Sequence, residues 1–83
     1  MQLLYFGWVR TKIGISGEKI ELPYHVNDVR SLIRWLQDRG AGYSEALGEI
    51  SIIRIAINQE MAELNSAITA NDEVALFPPM TGG

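Results

Sequence analysis

At 83 residues, 47% of them apolar and 20% charged, the chain has material for one small core and little stability beyond it. It contains no cysteine, which excludes disulfides, thiolate metal ligands and a thiol nucleophile together. A net charge of −3 with scattered basic residues speaks against nucleic acid, and no apolar run approaches the roughly 20 residues that span a membrane.

In chain order, residues 2–10 are apolar and aromatic enough for a buried strand, and Gly14-Ile15-Ser16-Gly17 supplies a turn into a second strand over residues 18–22. The two read as an opening hairpin. Pro23 ends the second strand. Asn27 or Asp28 then caps a helix whose apolar positions Val29, Leu32, Ile33 and Leu36 follow the i, i+3, i+4, i+7 spacing, and Gly40 stops it. Residues 41–49 are looser, with a helical turn over 43–47. The β-branched run at 50–57, in which Arg54 is the only charge, predicts a central strand. Asn58-Gln59 reverses the chain into a short strand at 61–64, and Ala70-Asn71-Asp72 turns it into a closing strand at 73–77. The order β-β-α-β-β-β, without linker or repeat, predicts an α+β fold in which a mixed sheet packs on one main helix and the last strand returns beside the first.

After that strand comes Pro78-Pro79-Met80-Thr81-Gly82-Gly83. Two prolines break the strand and two glycines leave the tip without side chains, so residues 78–83 read as a flexible tether whose last atoms can enter a narrow space. Fully extended, it reaches at most about 20 Å. The free carboxylate of Gly83 is the expected working group, and residues 1–83 are read as a single domain that holds it. His25 is the only histidine and no metal-ligand spacing occurs, so neither a catalytic triad nor a metal site is predicted. The acidic balance favours a more basic protein partner. With no leader-like opening, soluble cytoplasm is the expected location.

The run Leu76-Phe77-Pro78-Pro79-Met80-Thr81-Gly82-Gly83 closely resembles the ending of the molybdopterin synthase small subunits, the MoaD-like sulfur carriers of the ubiquitin-like, or β-grasp, class. Tyr5-Phe6-Gly7-Trp8-Val9-Arg10 resembles that family's first strand, Ala56-Ile57-Asn58-Gln59 its central hairpin, and Asn71-Asp72-Glu73-Val74-Ala75 the turn into its last strand. The resemblance covers essentially the whole chain, most loosely between residues 41 and 49.

The resemblance implies a β-grasp fold and a chain that is not an enzyme by itself but the sulfur-donating subunit of molybdopterin synthase. On it, a ubiquitin-activating-like adenylyltransferase uses ATP to adenylate Gly83, a sulfur donor protein converts the adenylate to a thiocarboxylate, and the large synthase subunit passes the sulfur to cyclic pyranopterin monophosphate. No permanently bound cofactor is implied, and the assembly would be a heterotetramer of two small and two large subunits. Phe6, Met61 and Phe77 match the family's apolar docking patch, and Arg10 matches a family arginine. On the residues alone, Phe6 and Phe77 fit a core or an interface equally, Met61 suits either, and Arg10 fits a surface ion pair. Trp8 and Trp35 are read as packing at the edge of the core or anchoring an interface. A carrier for another pathway such as thiamine thiazole synthesis, a ubiquitin-like modifier of other proteins and an inert adaptor are the alternatives.

Overall fold

The first and last strands lie side by side in the middle of one sheet. In the computed structural model, which describes residues 1–79, strand β1 (Gln2–Tyr5) pairs in parallel with β5 (Glu73–Phe77). On its other side β5 pairs antiparallel with β3 (Arg54–Ile57). The edges are β2 (Gly17–Lys19) and β4 (Glu60–Ala62), giving the order β2-β1-β5-β3-β4. Strand alternation sends Leu3, Tyr5, Val74, Leu76 and Ile55 to one face, where all are buried.

That inner face is covered by helix α2 (Val29–Gln37), whose Val29, Leu32, Ile33 and Leu36 form a fully buried stripe. Its start is fixed by Asp28. The carboxylate accepts from the Ser31 N–H at 2.8 Å, while the Ser31 hydroxyl accepts from the Asp28 N–H at 3.3 Å. Two further helices, α1 (Gly7–Ile13) and α3 (Ala41–Leu47), pack on each other beside it, and α3 contributes buried Ala46 and Leu47. The mixed sheet on one main helix is the expected α+β, β-grasp arrangement, with two additional short helices.

Several local expectations are corrected. The strand expected over residues 2–10 stops at Tyr5, because Gly7 takes a φ of +57° and turns the chain into α1, which buries Val9 and packs Ile13 against the core. Strands β1 and β2 do pair antiparallel, but a helix joins them rather than a tight turn. Arg10 consequently lies exposed on α1 and not on a strand. Within the run 50–57, Ile50–Ile52 forms a 3-10 turn closed by the Ile53 N–H on the Ile50 carbonyl, and the strand begins only at Arg54. Paired with β5 on one side and β4 on the other, β3 is interior as expected, and β5 lies in the middle of the sheet. The strand expected at 61–64 is Glu60–Ala62, and α2 ends at Gln37, ahead of Gly40.

Candidate functional site

The outer face of the sheet is lined by the residues that alternate with the core positions, and no helix of the main core layer covers it. The pairing registers put Leu4, Ala75, Ala56 and Met61 in one row across β1, β5, β3 and β4. Large side chains stand at the ends and two alanines between them, which leaves a low apolar saddle. In the next row Phe77 of β5 faces Arg54 of β3. Phe6, just beyond β1, donates its N–H to the Leu76 carbonyl at 3.2 Å and so extends the parallel ladder by one residue. Met61 is 67% exposed and Phe6 49%, while Phe77 is half-buried. The choice between core and interface thus resolves to surface for Phe6 and Met61. Exposed large apolar groups concentrated on one face are the mark of a docking surface.

This face adjoins the base of the tail. Strand β5 is held on both sides, and Pro78 then passes over Gly7 so closely that a Cβ on Gly7 would lie 2.7 Å from the Pro78 Cγ. At the other end of β5, Asn58 forms a clasp from the β3–β4 turn, where it and Gln59 take positive φ values of 51° and 69°. The Asn58 N–H donates to the Glu73 carbonyl at 2.8 Å, its side-chain oxygen accepts from the Glu73 N–H at 3.0 Å, and its amide donates to the Asp72 carboxylate at 3.0 Å. Hydrogen bonds from Asn58 and then Thr69 hold the Asp72 carboxyl below the usual carboxylate range. The strand that carries the tail is therefore pinned at both ends.

Away from this face, Glu18 gathers three donors. Tyr43 and Tyr5 hydroxyls reach one carboxylate oxygen at 2.7 Å each, and Arg39 reaches the other at 2.9 Å while lying 5.1 Å from the ring centres of both Trp35 and Tyr43. Burial opposes ionisation of Glu18, but the bonds from Tyr43, Tyr5 and Arg39 overcome it and lower its pKa. Burial, followed by the bond to Glu18, pushes the Tyr5 phenol far up. The cluster joins β1, β2, α2 and α3, and its role is to brace the fold.

The structure brings Phe6, Met61, Phe77 and Pro78 together around one face and the tail base, with Pro79 following; Arg10 sits one helical turn beyond Phe6. Met80, Thr81, Gly82 and Gly83 lie outside the described residues. Among the described residues, no group of three or more His, Cys, Asp or Glu could hold a metal. His25 is an exposed turn residue against the Tyr24 ring, and Trp35 packs against the edge of the core. Sequence reasoning missed Leu4, Ala56, Ala75 and Arg54 as members of the face. Period-two alternation from Leu3, Ile55 and Val74 would have found them once the strands were bounded.

The pattern of the ThiS family matches residues 3–83. The chain is 32% identical over 83 residues to the molybdopterin synthase sulfur carrier subunit of Haemophilus influenzae, covering 100% of this chain and 99% of the relative. It is 28% identical to the subunit of the same name from Escherichia coli, again over 100% and 99%. Among solved structures it is similar to small archaeal modifier protein 1 of Haloferax volcanii, with a TM-score of 0.71 at 26% identity over 96% of this chain and 97% of the other. It also resembles a chain in the complex of subunits 1 and 2 of the molybdopterin-converting factor of Helicobacter pylori, with a TM-score of 0.63 at 25% identity over 99% and 96%. No helix of the described residues is long and apolar enough to cross a membrane.

Proposed function

The chain belongs to the ThiS family, and from that premise we propose that it is the sulfur carrier subunit of a molybdopterin synthase. The observation that carries the proposal is the seating of β5 between β1 and β3, with Phe77-Pro78-Pro79 leaving it beside an exposed apolar face. A rigid root with a docking surface beside it delivers a side-chain-free tip to a partner's active site.

The chemistry falls on Gly83. A carboxylate resists acyl transfer because its charge repels nucleophiles and oxide is a poor leaving group. An activating adenylyltransferase joins the carboxylate to the α-phosphate of ATP with release of pyrophosphate, and a sulfur donor protein then replaces the C–O bond to AMP by a C–S bond. The thiocarboxylate so formed carries its sulfur on the backbone, which suits a chain without cysteine. Docked on the large subunit, it gives that sulfur to cyclic pyranopterin monophosphate. Acid–base groups and substrate contacts belong to the large subunit, and two small subunits serve two large ones in a heterotetramer. The Helicobacter pylori complex supports such a partner.

A second reading, a protein modifier joined to lysines, is favoured by the similarity to small archaeal modifier protein 1. Mass analysis of the C-terminal fragment from natively expressed protein separates the two, with alkylation of any thioacid first because exchange of oxygen for sulfur nominally matches oxidation of Met80. An alkylated thiocarboxylate on Gly83 is the expected result. Isopeptide linkage to lysine would give the second reading precedence, and a carboxylate left unmodified by its activating enzyme would defeat both.

A further inference from the structure

On the outer sheet face Arg54 stands beside Phe77 and Ala56, at the end away from the row of Lys19, Gln2 and Glu73. Arg54 is the ladder partner of Phe77, the last strand residue before Pro78, and is exposed. Among the described residues the ion pair joins Arg39 to Glu18, and the cations stacked on rings are Lys12 and Arg39. Among the described residues Arg54 has neither kind of partner. Carboxylates are not scarce, with ten Asp and Glu against seven Lys and Arg, and Arg39 illustrates a matched arginine in this fold. The folded chain places none of them within ion-pair distance of Arg54.

A partner that receives the tail approaches along β5 and covers Phe77, and a surface that covers Phe77 also covers Arg54. Stripping water from an unpaired guanidinium is costly, whereas a carboxylate that accepts two of its N–H groups offsets the cost and fixes the register of docking. We infer that Arg54 is a specificity-determining residue of the docking face, matched by an Asp or Glu carboxylate on the partner. The partner meant is the large synthase subunit, so the inference rests on the function proposed above. A surface presenting Lys or Arg at that point is rejected by like-charge repulsion.

The test is calorimetric binding of this chain to the large subunit of its own organism over a range of salt concentrations. Arg54→Glu should weaken binding by about tenfold or more, and Arg54→Ala by several-fold with a shallower salt dependence. Arg54→Lys should fall between Ala and the native residue because it cannot bind in the two-pronged manner. Thermal unfolding of each variant separates lost docking from lost fold. Exchanging the acidic residues around the large subunit's tail entrance for Arg, one at a time, should find one that restores binding of Arg54→Glu. Native-like binding and salt dependence of the Ala and Glu variants would overturn the inference and leave the proposed function standing. So would a loss that no exchange restores. Failure of the native pair to bind would overturn both.

Discussion

Gly7 and Pro78 are packed so closely that not even one methyl group fits between them: a Cβ on Gly7 would stand 2.7 Å from the Pro78 Cγ and 2.9 Å from its Cδ. Gly7 also holds a φ of +57°, a region that side chains with a Cβ enter at a cost. Replacing Gly7 by Ala should destabilise the chain by about 1 kcal/mol, and by Val about 2 kcal/mol, as read by denaturant unfolding. Sulfur transfer by the Val variant should fall even where it remains folded, because Pro78 is displaced from its seat. Unchanged stability and transfer in Gly7→Val would show that this contact does not position the tail.

The apolar saddle should matter to binding and not to folding. Met61 is 67% exposed, so Met61→Asp should change stability by no more than about 0.5 kcal/mol. Its affinity for the large subunit should drop by about tenfold or more if this row forms the centre of the interface. Parallel unfolding and binding measurements check both halves of the expectation.

The Asn58 clasp is a test of the strand root. Asn58→Ala removes two side-chain hydrogen bonds and places a residue with poorer tolerance at φ +51°, and should cost about 1 kcal/mol. Asn58→Gly relieves the backbone and loses only the bonds, so it should fall between Ala and the native chain. If Gly were the worse of the two, the backbone conformation would not be what Asn58 supplies.

Glu18 sets an acid limit to stability. Its folded pKa lies below the ordinary value near 4.5, so its contribution is complete above that value and is lost as pH falls through the folded pKa. Glu18→Gln should therefore narrow the difference in melting temperature between neutral solution and pH 3. On the alkaline side the raised Tyr5 pKa works the other way, and stability should erode above pH 10, where the unfolded phenol ionises. Tyr5→Phe should flatten that limb.

Chemistry at the tip is tested by length and bulk. One residue added after Gly83 places the reacting carbonyl in a peptide bond and should abolish adenylation and sulfur transfer. A Gly82→Val variant should unfold normally and fail in transfer, because a β-branched side chain obstructs a narrow passage. Normal transfer by an uncleaved extension would count against a terminal reaction altogether.

Much of this was legible in the residues because local and global signals agree. The stripe Val29, Leu32, Ile33 and Leu36 with Asp28 before it reads as a capped helix, and Glu73–Phe77 reads as a strand with the bounds observed. The first ten residues misled because Trp8 and Val9 favour strands, whereas the signal that mattered was one glycine whose positive φ depends on its surroundings. The run at 50–57 misled for a related reason. Ile50 packs against the core from a 3-10 turn and Ile52 is exposed there, before Ile55 and Ile57 serve the sheet. Phe6 and Phe77 could not be assigned to core or surface from composition, since the answer depends on strand parity, and parity depends on where each strand begins.

Among the described residues, strand β5 is the sole link between two halves of the sheet: β1 with β2 on one side, β3 with β4 on the other. Those halves make no ladder with each other. During synthesis the ribosome must release residues 73–77 before the sheet can close, so the face that partners read and the root of the tail come into being in the same step. A chain broken off upstream of β5 therefore lacks both the closed sheet and the root of the tail.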